Sequence, residues 1–301
     1  MTPMTDRAVT LIECPRDALQ GLPRQVPTQL KIELLQALLA AGLRRLDCAS
    51  FVSPRAVPQM ADSEAVLAAV GTPPPDTELI GIVLNRRGLE RALQTPVTTL
   101  GFPLSVSPTF QWDNAHQTLI EAHAMAAALQ GEVRAAGRRF VVYLSMAFGN
   151  RHGDPYSVAA VLHVARQVAE MGVTTLSLAD TVGLASAEAV AELFQALQEE
   201  LRSFNLELGL HLHSRPDSAA AKITAAYRAG CRRFDTALAG LGGCPFAGDA
   251  LVGNIATETA LAALRACGAP VGSPGPTDPE VSLAPALRCV RHLGAIYGQP
   301  T

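Results

Sequence analysis

The sequence predicts a (β/α)8 TIM barrel: one domain over residues 1–301 with a short C-terminal helical extension. Three observations carry this. Short β-like runs alternate with amphipathic helical segments, and the unit recurs eight times, the pattern of a parallel sheet with helical crossovers. No Gly-x-Gly-x-x-Gly follows the first strand, as a doubly wound nucleotide-binding sheet needs. The 301 residues also suit one α/β barrel.

The elements follow in order. A strand over 9–13 leads to a helix over 27–41 that Gly42 ends. A second strand, 45–49, precedes a helix near 62–70, and Thr72-Pro-Pro-Pro-Asp76 is a loop. Strand 79–84 is followed by a short helix over 87–93, and strand 97–101 by a long helix over 114–136. Strand 140–146 precedes a helix over 157–171 stopped by Gly172, and strand 174–179 precedes a helix over 187–201. Strand 206–213 carries Leu206, Leu208 and Leu210 at alternate positions, and a helix over 218–229 ends at Gly230. Strand 233–237 and helix 257–267 complete the eighth unit. After about residue 270 a Gly/Pro-rich linker leads to a terminal helix over 283–297 packed on the barrel.

Hydrophobic residues make up 49% of the chain and charged residues 17%, with a net charge of −3. These values favour a large core and exclude a nucleic-acid-binding surface. No apolar run reaches membrane-spanning length. The short polar start, 1–7, argues against a secretory signal. The six cysteines include no Cys-x-x-Cys pair and read as reduced thiols of a cytoplasmic protein, Cys244 apart.

Catalytic groups of such a barrel lie at the C-terminal ends of its strands. Strand one ends in Glu13, with Arg16 and Asp17 just after it, Asp47 lies near the end of strand two, and Asp180 ends strand six. His211 and His213 end strand seven, two apart, so that both imidazoles project to one face and can reach one ion. Cys244 lies in Gly-Leu-Gly-Gly-Cys-Pro after strand eight, and Asn254 lies beyond it. Asp17, His211, His213 and Asn254 supply two oxygens and two nitrogens, with room for water or substrate. An amide oxygen and an open octahedral site rank Mg2+ or Mn2+ ahead of Zn2+. Taken alone, His-x-His also fits two core or surface histidines. Arg16 beside Asp17 fits a surface ion pair as well as a cation that stabilises an enolate oxygen. Cys244 fits a buried thiol as well as a proton donor on a closing loop. Asp180 fits a helix N-cap as well as a substrate contact.

Over roughly residues 9 to 260 the chain resembles the 3-hydroxy-3-methylglutaryl-CoA (HMG-CoA) lyases, among the metal-dependent barrel lyases and synthases. The resemblance rests on Glu13-Cys-Pro-Arg-Asp-Ala-Leu-Gln20, Ser50-Phe-Val-Ser-Pro-Arg-Ala-Val-Pro-Gln-Met60, Leu178-Ala-Asp-Thr-Val-Gly183, His211-Leu-His213 and Gly240-Leu-Gly-Gly-Cys-Pro245. It implies Asp17, His211, His213 and Asn254 as metal ligands and Arg16 as the enolate-stabilising residue. It implies Cys244 as the mobile catalytic thiol, Asp47 in place of an orienting glutamate, and Asp180 as a substrate-associated aspartate. The implied reaction cleaves HMG-CoA to acetyl-CoA and acetoacetate, with His211 or Asp17 as base, in a homodimer or higher homo-oligomer. The chain departs from the family at Ala18, Asp47, Pro108, Gly149-Asn-Arg-His-Gly-Asp154 and Ser214. These departures permit a related lyase acting on another 3-hydroxyacyl-CoA. A condensing enzyme joining acetyl-CoA to a 2-oxo acid and a non-catalytic acyl-CoA-binding barrel are further readings.

Overall fold

The computed structural model describes residues 8–243, 252–271 and 279–298. Eight parallel strands form the barrel: β1 (Thr10–Glu13), β2 (Arg45–Ser50), β3 (Glu78–Ile82), β4 (Thr99–Ser105), β5 (Arg139–Ser145), β6 (Thr175–Asp180), β7 (Glu207–Ser214) and β8 (Arg233–Thr236). Each pairs with its sequence neighbour, and β1 pairs with β8 through Thr10↔Arg233 to Glu13↔Thr236, so the sheet closes. A two-residue strand, β9 (Gly253–Asn254), pairs antiparallel with the end of β7.

The helices are α1 (Pro15–Gln20), α2 (Thr28–Ala40), α3 (Ser63–Val70), α4 (Arg86–Leu93), α5 (Pro108–Ala115), α6 (Leu119–Ala135), α7 (Val158–Glu170), α8 (Ala187–Glu200), α9 (Pro216–Arg228), α10 (Thr257–Ala266) and α11 (Pro279–Tyr297). The expected helix over 114–136 is in fact α5 and α6. His116 adopts a left-handed conformation at φ 51° and ends α5, and a Thr118/Glu121 capping box starts α6. Pro108 becomes intelligible here: it is the first residue of α5, which Ser107 caps by accepting from the Phe110 amide. The strand expected over 97–101 starts later and runs on to Ser105. Helix α11 packs on α2, and Arg24 donates to the Ile296 carbonyl. The linker expected after 270 falls largely outside the described residues. No helix among the described residues is long and apolar enough to cross a membrane.

Strand alternation sorts the core into two layers. On β7, Leu208, Leu210 and Leu212 face the helices and join the large outer cluster. Leu210 and Leu212, both buried, contribute about 1.5–3 kcal/mol each, and the half-buried Leu208 less. Gly209, His211 and His213 take the other face, toward the barrel axis. The axis is filled by a smaller cluster of Ile12, Cys14, Ile80, Ile82, Val141 and Tyr143. Below that cluster, at the N-terminal ends of the strands, lies a group of paired charges centred on buried Glu78 and Arg233. Glu78 accepts from Thr99 at 2.7 Å and pairs with Arg139, Arg233 and Arg45 at 3.2, 3.4 and 3.5 Å. Arg233 also reaches Glu207 at 3.1 Å. Gly209 makes room for it: a Cβ there would lie 3.0 Å from the Arg233 side chain.

Candidate active site

Above the apolar plug the barrel opens into a cavity of about 600 Å3, lined by Arg16, Asp17, Tyr143, His211, His213 and Gly243 among others. Helix α1, which hydrophobic periodicity does not announce, brings Arg16 and Asp17 here. Pro15 opens it directly after β1, where a missing N–H costs nothing. The guanidinium of Arg16 donates through Nη1 to Asp17 Oδ1 at 2.9 Å. Its Nε donates to both Asp47 oxygens at 3.2 and 3.1 Å, and its Nη2 also donates to Asp47 Oδ2. Asp47 thus grips the guanidinium from β2. Burial pushes the Asp47 carboxyl up, and Arg16 opposes that shift. Burial acts on Asp17 too, but Arg16 foremost, with the two histidines, holds its carboxyl well below the usual range.

Opposite Arg16, His211 Nε2 and His213 Nε2 stand 3.2 Å apart, and His213 Nε2 lies 3.6 Å from Asp17 Oδ2. His211 Nδ1 is 3.2 Å from Asp235 Oδ2 on β8. With a proton on Nδ1 bonded to Asp235, Nε2 turns its lone pair to the cavity, the usual support behind a ligating histidine. Burial alone would lower the His211 pKa; the Asp235 hydrogen bond and the Asp17 charge override it and hold it above its usual value. Asn254 joins from β9, whose pairing sets it beside His213, and donates Nδ2 to Asp17 Oδ2 at 2.9 Å and to the Leu241 carbonyl at 3.0 Å.

This donor set fits a divalent cation. One ligand atom each from Asp17, His211 and His213 lies within 4.8 Å of the others; Asn254 adjoins them through its Nδ2, so its oxygen would join the set only with the amide turned over. Three carboxylates, those of Asp17, Asp47 and Asp235, gather at the mouth around the single guanidinium of Arg16 and the two imidazoles. Cys14, His211 and Asp235 also converge, but burial holds the Cys14 thiol protonated, well above its ordinary range, and a protonated thiol is a poor ligand.

The structure thus brings together Arg16, Asp17, Asp47, His211, His213 and Asn254. It does not bring Asp180 to them. The Asp180 carboxylate is buried, accepting from the amides of Leu184 and Ala185 at 2.9 and 3.0 Å and from Lys222 Nζ at 3.2 Å. It does not cap the next helix either; Ser186 caps α8. Cys244 lies outside the described residues, though the chain reaches the cavity wall at Gly243 just before it. The glycines of that loop serve close packing. A Cβ on Gly242, whose φ is 82°, would lie 2.7 Å from Ala18 Cα, and one on Gly253 would lie 2.7 Å from the Gly242 carbonyl.

Two residues escaped the sequence reading. Asp235 was inside the expected eighth strand, and its signal was a lone carboxylate near that strand's end. Tyr143 lines the cavity with its ring edge-on to His211, centroids 5.9 Å apart. Its buried hydroxyl has no partner among the described residues, which marks it as a donor for a bound molecule.

The chain matches the HMGL-like family model over residues 9–283. It is 31% identical to an (R)-citramalyl-CoA lyase of Chloroflexus aurantiacus, over 97% of this chain and 92% of that protein. It is 33% identical to a hydroxymethylglutaryl-CoA lyase of Pseudomonas mevalonii, over 96% of this chain and 93% of that protein. Its fold matches an HMG-CoA lyase from Acinetobacter baumannii solved with coenzyme A and 3-methylmalate, with a TM-score of 0.85 and 30% identity, over 100% of this chain and 94% of that one. With the site in place and the match running through nearly the whole barrel, the chain belongs to the HMGL-like family of lyases.

Proposed function

We propose that this protein is a divalent-metal-dependent carbon–carbon lyase that cleaves HMG-CoA to acetyl-CoA and acetoacetate. The observation that carries the reading is the meeting of Asp17, His211, His213 and Asn254 beside Arg16 at the mouth of the cavity. Those four residues would hold a Mg2+ or Mn2+ ion, which would supply Lewis acidity to the substrate's oxygens.

The protein's own groups do the rest. The bond between C2 and C3 of the acyl chain breaks as the tertiary hydroxyl loses its proton and becomes the ketone of acetoacetate. The electron pair is left on C2 as the enolate of acetyl-CoA. Two groups face the hydroxyl proton, the Asp17 carboxylate and His211 Nε2. Either is a candidate base: Arg16 makes the Asp17 carboxylate weakly basic, whereas Asp235 and Asp17 hold His211 above its usual value. Arg16, fixed by Asp47, places positive charge where the enolate oxygen develops. Cys244, one residue past the cavity wall, delivers a proton to C2 from its thiol. The Tyr143 hydroxyl donates to a substrate oxygen.

A second reading has a specific support. (R)-Citramalyl-CoA, named for the Chloroflexus relative, has one methylene fewer between its carboxylate and its carbinol carbon. The same chemistry on it yields acetyl-CoA and pyruvate. Purified protein is therefore incubated with each thioester, with Mn2+ and with a chelator, and the keto acid is identified. Chelator-sensitive acetoacetate from HMG-CoA is expected. Pyruvate from citramalyl-CoA alone transfers the assignment to the shorter substrate, and no cleavage of either rejects both.

A further inference from the structure

His211 and His213 are supported in different ways. His211 has Asp235 behind its ring. His213 is also buried, yet its Nδ1 has no partner among the described residues. Its ring cannot be held from behind as His211 is, so its orientation depends on its main chain and packing. That main chain is gripped by an unusual residue. Lys222, on α9, is only 3% exposed. Its Nζ donates to the His213 carbonyl at 3.1 Å and to Asp180 Oδ2 at 3.2 Å. Burying an amine this completely is costly unless its hydrogen bonds are met, and an apolar side chain would pack beneath a strand without that cost.

We propose that Lys222 is a positioning residue of the metal site, fixing the end of β7 by holding the His213 carbonyl and anchoring it to the Asp180 carboxylate. The inference rests on the metal reading above. Its reach extends to a second ligand, because His213 pairs with Asn254 across β7 and β9. The loop after β6 supports β9 as well. Asp180 accepts two of that loop's amides, and the loop packs so closely on Val252 that a Cβ at Gly183 would lie 2.6 Å from Val252 Cγ1. One ammonium group thus ties together the β6 loop, the β7 end and the strand bearing Asn254. Asp180, expected from the resemblance to be substrate-associated, acts in this arrangement as the anchor.

The test is Mn2+ binding by the full-length protein, measured by calorimetry and by the Mn2+ electron paramagnetic resonance signal, alongside the melting temperature of each metal-free variant. Lys222→Met is expected to weaken Mn2+ binding on the order of tenfold or more, the usual loss when an outer support of a ligand is removed. Lys222→Arg, which keeps donors at the site, is expected to bind nearly as wild type. The double variant Asp180→Asn/Lys222→Met removes both charges; it is expected to regain melting temperature lost in Lys222→Met without regaining Mn2+ affinity. Wild-type affinity in Lys222→Met overturns the proposal, as does recovery of affinity together with stability in the double variant. If Lys222→Met does not fold, the double variant, which leaves no buried charge unpaired, carries the same comparison against the wild type. A wild-type protein that binds no Mn2+ overturns the metal reading and this inference with it, an outcome distinct from intact binding in the variant.

Discussion

The two ends of the barrel bury charge to opposite purposes. At the base, Arg45, Arg139 and Arg233 surround Glu78 and Glu207, and the charges are spent on one another across neighbouring strands. At the mouth, Asp17, Asp47 and Asp235 outnumber Arg16, and the His211 and His213 nitrogens face the cavity. The base is a closed circuit with a slight positive excess, and the mouth is an open one with a negative excess. The difference is one of access and sign: the base charges pair across strands below the apolar plug, whereas the groups at the mouth line an open cavity and are mostly acidic.

The largest effects should come from spoiling the open circuit. Asp17→Asn removes a ligand charge and leaves Arg16 half-paired. Mn2+ binding by calorimetry and turnover should both fall to background while the circular dichroism spectrum stays that of the wild type. Retained metal binding would break the assignment of the mouth as a cation site. Next is Arg16→Met, which removes charge stabilisation and no ligand. It should lower kcat by about 10²–10³-fold with a smaller change in KM, the loss typical of one preorganised donor to a developing oxyanion. A variant that lost affinity for substrate and kept kcat would show Arg16 to be a binding group only.

The base should respond in stability and not in chemistry. Arg233→Met strips buried Glu78 of one of its three cations, and breaking a buried pair from one side costs up to about 3–5 kcal/mol. Urea denaturation should show that loss, with Mn2+ affinity unchanged. A matching drop in affinity would mean that the two ends are not independent.

The mouth was more legible in the sequence than the base. Asp17, His211 and His213 follow strands whose alternation or flanking motif points them at one place, and Asn254 follows a glycine-rich loop that a Cβ would disrupt. The base residues Arg45, Glu78, Arg139, Glu207 and Arg233 each open a strand. In the linear sequence they read as ordinary boundary charges and become a cluster only when the sheet closes. Asp235 was lost for a related reason, since its role depends on a partner 24 residues away on the next strand. The helix break at His116 was invisible because a left-handed turn at a histidine carries no glycine or proline to announce it. Asp180 shows the opposite failure: a motif located the residue correctly, but the direction of its carboxylate depends on Lys222 from another helix.

Glu13 stands between the two circuits and belongs to neither. It ends β1 with no cation paired to it among the described residues, accepting from the Leu238 amide at 2.7 Å and the Thr257 hydroxyl at 2.5 Å. Burial pushes its carboxyl up to about 8 from an ordinary 4.5, against the pull of those two hydrogen bonds. The folded protein therefore binds this proton more tightly than the unfolded chain. Its contribution to stability is complete below about pH 4.5 and is lost as pH rises toward about 8, at about 1.4 kcal/mol per pH unit at most. Glu13→Gln mimics the protonated acid, with an oxygen for the Leu238 amide and an N–H for the Thr257 hydroxyl. Melting temperatures followed across that interval should decline less steeply for the variant than for the wild type, so that the amide is relatively the more stable at the alkaline end. Parallel profiles would mean that Glu13 is already ionised, and that the mouth's negative excess extends one carboxylate deeper behind the site.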